Sequence, residues 1–130
     1  MVDEQGARAW TVVGRQRLVD SRWLRVDQED VRLPNGAAID GYYVVHEPDF
    51  AMTFAVTEAG QVLLVRQYKH GIGRVMLELP AGYLETGDLS AEEAVRRELR
   101  EETGYEPARV RPLGRLVCSP TRASSYGHYF

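Results

Sequence analysis

Cysteine is nearly absent from the chain: Cys118 stands alone. No internal disulfide can form, so packing and hydrogen bonds must hold the fold, and a reducing cytoplasm is the simplest setting. Long apolar runs are missing too. Nothing approaches the ~20 residues of a membrane span, and residues 1–9 are polar, without the apolar core of a signal peptide. Neither sign of charge dominates, since 16 Lys and Arg against 19 Asp and Glu leave a net −3. That balance gives no global reason to bind nucleic acid or a membrane surface. Internal repeats and low-complexity tracts are lacking, and His70 and His128 show no metal-binding spacing. After Glu106 there is no acidic residue, only Arg109, Arg111, Arg115 and Arg122 among the charged types. What is present is 130 residues, 44% hydrophobic and 27% charged, enough for one domain with a real core and too few for two.

The most informative segment is Ser90–Gly104. Ser90 is an N-cap with Glu93 three residues on, as a capping box requires, and Gly104 supplies a left-handed stop. At about 100° per residue, Ala91, Ala94, Val95 and Leu99 define a packing face. Glu98 and Glu102 fall on that face, with Glu101 at its edge. The opposite face carries Glu92, Glu93, Arg96 and Arg100, an ordinary solvated mixture with an i,i+4 pair between Glu92 and Arg96. Carboxylates do not enter a packed face without something to neutralise them. Here they also sit in the last turns, where the helix dipole repels them. A solvated acidic helix end, paired with Arg97 and Arg100, is the plain alternative. Convergence of three acids beside an apolar stripe favours a hard divalent cation, which takes oxygen ligands and keeps waters and phosphates in its shell.

Before the helix, Leu77–Asp88 reads as a short apolar strand running into a loop punctuated by Gly82 and Gly87, where backbone can approach a ligand. From Gly82 to Tyr105 the chain resembles the Nudix box, G-x5-E-x7-R-E-U-x-E-E-x-G-U with U bulky and aliphatic. Arg97-Glu98-Leu99-Arg100-Glu101-Glu102-Thr103-Gly104 matches its second half, with Tyr105 at the last bulky position. Asp88 stands where the pattern has Glu, and eight residues rather than seven separate it from Arg97. One residue is therefore inserted between Gly87 and Ala91. Val65–Gly71 followed by Leu77–Gly82 is similar to the Nudix subgroup that hydrolyses ADP-ribose and related nucleoside diphosphate sugars.

The remaining pattern is strand-rich. Strands are expected near 10–20 and 23–33, with a Pro34-Asn35-Gly36 hairpin signal, then over 39–46. After Pro48-Asp49, strands are expected over 51–57, 61–67 and 75–79, and again over 110–118 and 124–130. This is an α+β arrangement, which the resemblance sharpens to an α/β/α Nudix sandwich around a mixed sheet. An N-terminal antiparallel β extension, 1–47, would precede a Nudix domain, 48–130. The resemblance implies a homodimer built through that extension, and strands that only extend the monomer's own sheet are the less favoured alternative. Trp10, Trp23, Tyr42 and Tyr43 are read as core or dimer contacts rather than base-stacking residues.

The resemblance implies a diphosphate hydrolase for nucleoside diphosphate sugars, with Mg²⁺ or Mn²⁺ held by Glu98, Glu101, Glu102 and the carbonyl of Ala81 at the Gly82 turn. It makes Arg97 a holder of the box glutamates, which suits its i,i+4 spacing to Glu101. Arg66, Lys69, Glu78, Gly82 and Arg122 are the substrate-binding candidates; solvated charges at strand ends are the alternative for the cations. Relatives of this subgroup continue through another strand and a closing helix, with an acidic loop residue as general base. That base has no counterpart here. Glu101 serves instead, a partner subunit supplies it, or the chain is a shortened form. A nucleotide-binding module without catalysis, and a hydrolase of other nucleoside di- and triphosphates, are the competing readings.

Overall fold

The computed structural model describes residues 8–130. The chain divides into two compact units: the described residues up to Glu47 with Ser119–Ser124, and Pro48–Cys118 with Ser125–Phe130.

The first unit is an antiparallel meander of β1 (Thr11–Asp20), β2 (Arg25–Arg32) and β3 (Ala38–His46), in that spatial order. Ser21 folds the first turn by accepting from the N–H groups of Trp23 and Leu24 at 3.2 and 3.1 Å. Asn35 closes the second, accepting from the Ala37 N–H at 3.0 Å beside Gly36 at φ 87°. The central strand alternates strictly and buries Asp27, Glu29 and Val31. Two of those three are acids, and the register supplies their counter-charges. Arg15 lies opposite Glu29 and Arg17 opposite Asp27. Their guanidiniums donate at 2.8 and 2.7 Å. His46 Nε2 sits 3.0 Å from Asp27, while its Nδ1 lies 3.2 Å from the Ser124 hydroxyl.

The Arg17 hydrogen bond outweighs burial and holds the Asp27 carboxyl at about 2, against an ordinary 3.8. Of the two roles expected for the aromatics, core or dimer contact, three of the four do not fill the first. Trp10, Trp23 and Tyr43 are 46%, 62% and 44% exposed, so they are not core. The buried side of the central strand is taken by paired acids, and Trp23 lies in a turn with the Arg22 guanidinium 4.2 Å over its ring.

In the second unit a mixed sheet runs β7 (Ala81–Tyr83), β4 (Phe50–Met52), β9 (Tyr126–Tyr129) and β8 (Gly114–Val117). The β4 strand is antiparallel to β7 and parallel to β9. A separate hairpin pairs β5 (Val65–Lys69) with β6 (Arg74–Glu78) through a 3-10 turn at His70–Ile72. The helix α1 (Ala91–Thr103) packs on β4 and β7. Ala94 and Val95 meet Ala51 there, and Leu84, Val110 and Phe130 surround them. Ser90 accepts from the Glu93 N–H at 3.1 Å, and Gly104 ends the helix at φ 77°. The Glu93 carboxylate reaches the N–H of Leu89 at 2.8 Å, one residue before the cap.

Asp49 ties the sheet's two ends of the sequence together. It accepts from the Tyr126 N–H at 2.9 Å and lies 3.1 Å from His128 Nε2, while its carbonyl accepts from the Leu84 N–H. Burial opposes the charge, yet these partners hold the Asp49 carboxyl below its ordinary range.

The strand expected over 51–57 is cut to Phe50–Met52, with Val56 and Val62 forming an isolated bridge. The next N–H, that of Thr53, goes to the carbonyl of Pro80, and proline has no N–H to return. Ala81–Tyr83 falls in the stretch read from its glycines as loop, and alanine and glycine have little strand preference. Pairing with β4 overrides that preference. The α+β class and the mixed sheet hold. The resemblance implies helices on both faces, whereas the described residues contain one α-helix. None of the described helices is long and apolar enough to cross a membrane.

Two stability predictions follow from this frame. Because its folded carboxyl titrates below the unfolded one, Asp27 contributes stability that is complete above about pH 4 and lost as pH falls toward about 2. Urea titrations at stepped pH should show Asp27→Asn losing this part of the acid sensitivity, while being weaker than the parent at pH 7. Ser90→Ala should lower the unfolding free energy by about 1 kcal/mol and the midpoint temperature by a few degrees, read by calorimetry.

Candidate active site

Helix phase decides the site. Ala94, Val95 and Leu99 must pack inward, and the same rotation carries Glu98 and Glu102 toward β7 and the hairpin. The Glu98 side chain keeps only 12% of its exposure. It is seated directly against Gly82, where any Cβ would overlap the carboxylate. A larger residue here would push the Glu98 carboxylate from its seat, so glycine acts through space rather than backbone twist. Burial pushes the Glu98 carboxyl above its ordinary range; the Arg97 hydrogen bond opposes this and the nearby charges of Glu102 and Glu101 reinforce it.

Glu102 is held at both oxygens. One accepts from the side-chain amide of Gln67 and the other from the Ala81 N–H at 3.1 Å. Glu101 is different, being 55% exposed and 3.4 Å from Arg97 Nη1. Among the described residues, no three Asp, Glu, His or Cys side chains close into a cluster able to hold a metal ion as they stand. The acids lie together, but Glu98 is turned onto Arg97 and Glu102 onto Gln67 and Ala81.

Arg97 is the hub. Its Nε and Nη2 reach Asp88 at 3.1 and 2.9 Å, Nη2 also donates to the Tyr83 carbonyl at 3.1 Å, and Nη1 donates to Glu98 at 2.6 Å. Asp88 accepts in addition from the Glu85 N–H at 2.7 Å. The Arg97 bond, then that backbone donor, keeps the Asp88 carboxyl below the usual carboxylate range. Among these neighbours the Arg97 guanidinium is shifted further upward, so it stays charged. The one-residue departure from the box is absorbed in the turn between Asp88 and Ser90, where Leu89 is 90% exposed. Asp88 therefore still reaches Arg97.

The hairpin sorts the substrate candidates by face. Residues directly paired across the two strands share a face, so Gln67, Lys69 and Glu78 lie together, and Arg66 lies opposite with Tyr68, Val75 and Leu77. Lys69 Nζ is 2.8 Å from Glu78, so these two candidates face each other. Gly82 is at the site, under Glu98. Arg122 belongs to the first unit, in a turn whose carbonyl accepts from the Val45 N–H at 2.7 Å. Its guanidinium stands 5.8 Å above the Tyr42 ring. Gln67 was passed over in the sequence, although strand alternation from Lys69 places it on the same face.

A cleft of about 240 Å³ runs along the arginine side of the helix, lined by Glu93, Arg96, Arg97, Arg100, Glu106 and Pro107. Arg96 is engaged by Glu92 and the Pro107 carbonyl, and Arg97 by Asp88, so neither is free to grip an anion.

Residues 45–129 match the family model for a NUDIX domain, and residues 10–45 match that for a nucleoside diphosphate sugar hydrolase N-terminal domain. An ADP-ribose pyrophosphatase from Bacillus subtilis (strain 168) is 33% identical over 118 residues, 91% of this chain and 63% of that protein. A methanol dehydrogenase activator from Bacillus methanolicus is 32% identical over 115 residues, 88% of this chain and 61% of that protein. The crystal structure of an ADP compounds hydrolase superposes with a TM-score of 0.79 at 24% identity, over 94% of this chain and 65% of that one. That likeness establishes the fold. The chain thus spans under two thirds of the length of these relatives.

Removing the Asp88 carboxylate should free Arg97. Asp88→Ala is expected to cost about 2–3 kcal/mol, the worth of hydrogen bonds to a charged group, in urea unfolding at pH 7. Asp88→Glu, which restores the acid of the family pattern, should recover most of that loss.

Proposed function

The chain belongs to the Nudix family, and on that footing we propose that it hydrolyses the diphosphate linkage of ADP-ribose or a related nucleoside diphosphate sugar, releasing a nucleoside monophosphate and a sugar phosphate. The observation that carries this reading is the desolvated Glu98 carboxylate, seated on Gly82 beside Glu102 with its charge only partly compensated by Arg97. Such surplus negative charge in a half-buried place is matched to a cation.

The donor chemistry suits a hard divalent ion, although Glu98 and Glu102 as they stand are turned to protein partners. Glu98, Glu101, Glu102 and the Ala81 carbonyl offer only oxygen, the chemistry that suits Mg²⁺ or Mn²⁺. When bound, the ion supplies charge neutralisation for the diphosphate and activation of water. The chain's own residues do the rest. Glu102 is oriented from both sides, so its remaining lone pairs have a defined direction. Arg97 keeps Glu98 and the Tyr83–Asp88 loop in register. Glu101, the exposed acid, is assigned the proton taken from the attacking water as the water oxygen bonds to phosphorus and the bridging P–O bond breaks. Lys69 and Glu78, on the Gln67 face, are assigned to the substrate, with Arg66 as an outer phosphate contact. The nucleoside diphosphate sugar N-terminal match and the pyrophosphatase relative support the substrate class. A homodimer through the first unit and a reducing cytoplasm belong to the same reading.

The test is a panel of nucleoside diphosphate sugars incubated with and without Mg²⁺ or Mn²⁺. Release of AMP from ADP-ribose only with metal is expected, and Glu102→Gln should reduce turnover by orders of magnitude. Binding of ADP-ribose without turnover of any panel member would instead identify a nucleotide-binding module.

A further inference from the structure

We propose that Gln67 is a positioning residue for the metal centre: its uncharged amide orients Glu102 for the cation without discharging it. The inference rests on the functional reading above. Gln67 lies on β5, outside the Gly82–Tyr105 motif, and its amide nitrogen donates to one Glu102 oxygen while the Ala81 N–H donates to the other. A carboxylate has about four lone-pair directions over its two oxygens. Two donors therefore fix its rotation and leave the remaining directions for an ion. Groups of this kind, which hold a ligand rather than touch the metal, tune affinity by about 10–100-fold.

The residue type matters. Lysine at this place would also donate, but its ammonium would neutralise Glu102 and compete with the ion. Glutamate would put a second acceptor against an acceptor. An apolar side chain would leave Glu102 held at one oxygen only. Glutamine alone among these donates with no formal charge, and its neighbours fit that role. On the same hairpin face, Lys69 is held against Glu78 rather than left to pair with Glu102.

The experiment measures Mn²⁺ binding to the whole chain by the loss of the free-ion electron paramagnetic resonance signal, without substrate. The parent should bind one or more ions, and Glu102→Gln should abolish or severely weaken this. Gln67→Met, similar in length but without a donor, should raise the Mn²⁺ Kd by about 10–100-fold, and Gln67→Lys by at least as much. Circular dichroism and thermal melts identify misfolded variants, and Gln67→Leu, likewise without a donor, replaces Gln67→Met should that fail to fold. With substrate, the half-saturating Mn²⁺ concentration of Gln67→Met should rise in parallel, and turnover should recover as Mn²⁺ is raised. A folded Gln67→Met or Gln67→Leu binding Mn²⁺ within twofold of the parent overturns the role of Gln67 and leaves the hydrolase reading intact. A parent that binds no Mn²⁺ overturns both.

Discussion

A half-buried guanidinium organises this chain's candidate site. Arg97 is 18% exposed and donates to Asp88, Glu98 and the Tyr83 carbonyl at once. An arginine fork matches carboxylates in a way that a lysine ammonium does not. Its contacts bridge the loop before the helix, the strand before that loop, and the acid one residue along the helix. A desolvated cation left without these partners is costly. The Tyr83–Asp88 loop, the helix end and the seat of Glu98 therefore stand or fall together.

The two units handle buried charge differently. In the first, Arg15 and Arg17 meet Glu29 and Asp27 across one strand pair, in direct register. Compensation there is direct, one guanidinium to each acid. In the second, Arg97 is divided among several acids while Glu98, Glu101 and Glu102 cluster in just over one helical turn. Glu98 is accordingly pushed upward while Asp27 is held down. The imbalance belongs to the unit that carries the motif, which is where a counter-ion has work to do.

Much of this could be read from residues alone, because the deciding signals were local. Ser90, Glu93 and Gly104 fixed the helix limits, and a 100° period assigned Glu98 and Glu102 to its packed face. The Asn35-Gly36 turn was equally legible. What escaped were features created by distant pairing. Ala81–Tyr83 becomes a strand only because β4 lies beside it, and Gln67 meets Glu102 across 35 positions of sequence. Nothing in the strand pattern marked the acids of β2 as buried, and only the register with Arg15 and Arg17 shows how they are. Arg66 and Lys69 looked like a pair of cations flanking one strand end. Alternation separates them, and Lys69 turns to Glu78 instead.

The parallel join between β4 and β9 has a kinetic consequence. Asp49 and Tyr126, which anchor it, are 77 positions apart. Bringing such ends together costs chain entropy before any contact repays it, and non-local strand pairing slows folding. The helix, by contrast, carries its own start and stop and nucleates from neighbours. A nascent chain would thus display its acidic helix early, while the floor beneath that helix waits for a late long-range closure.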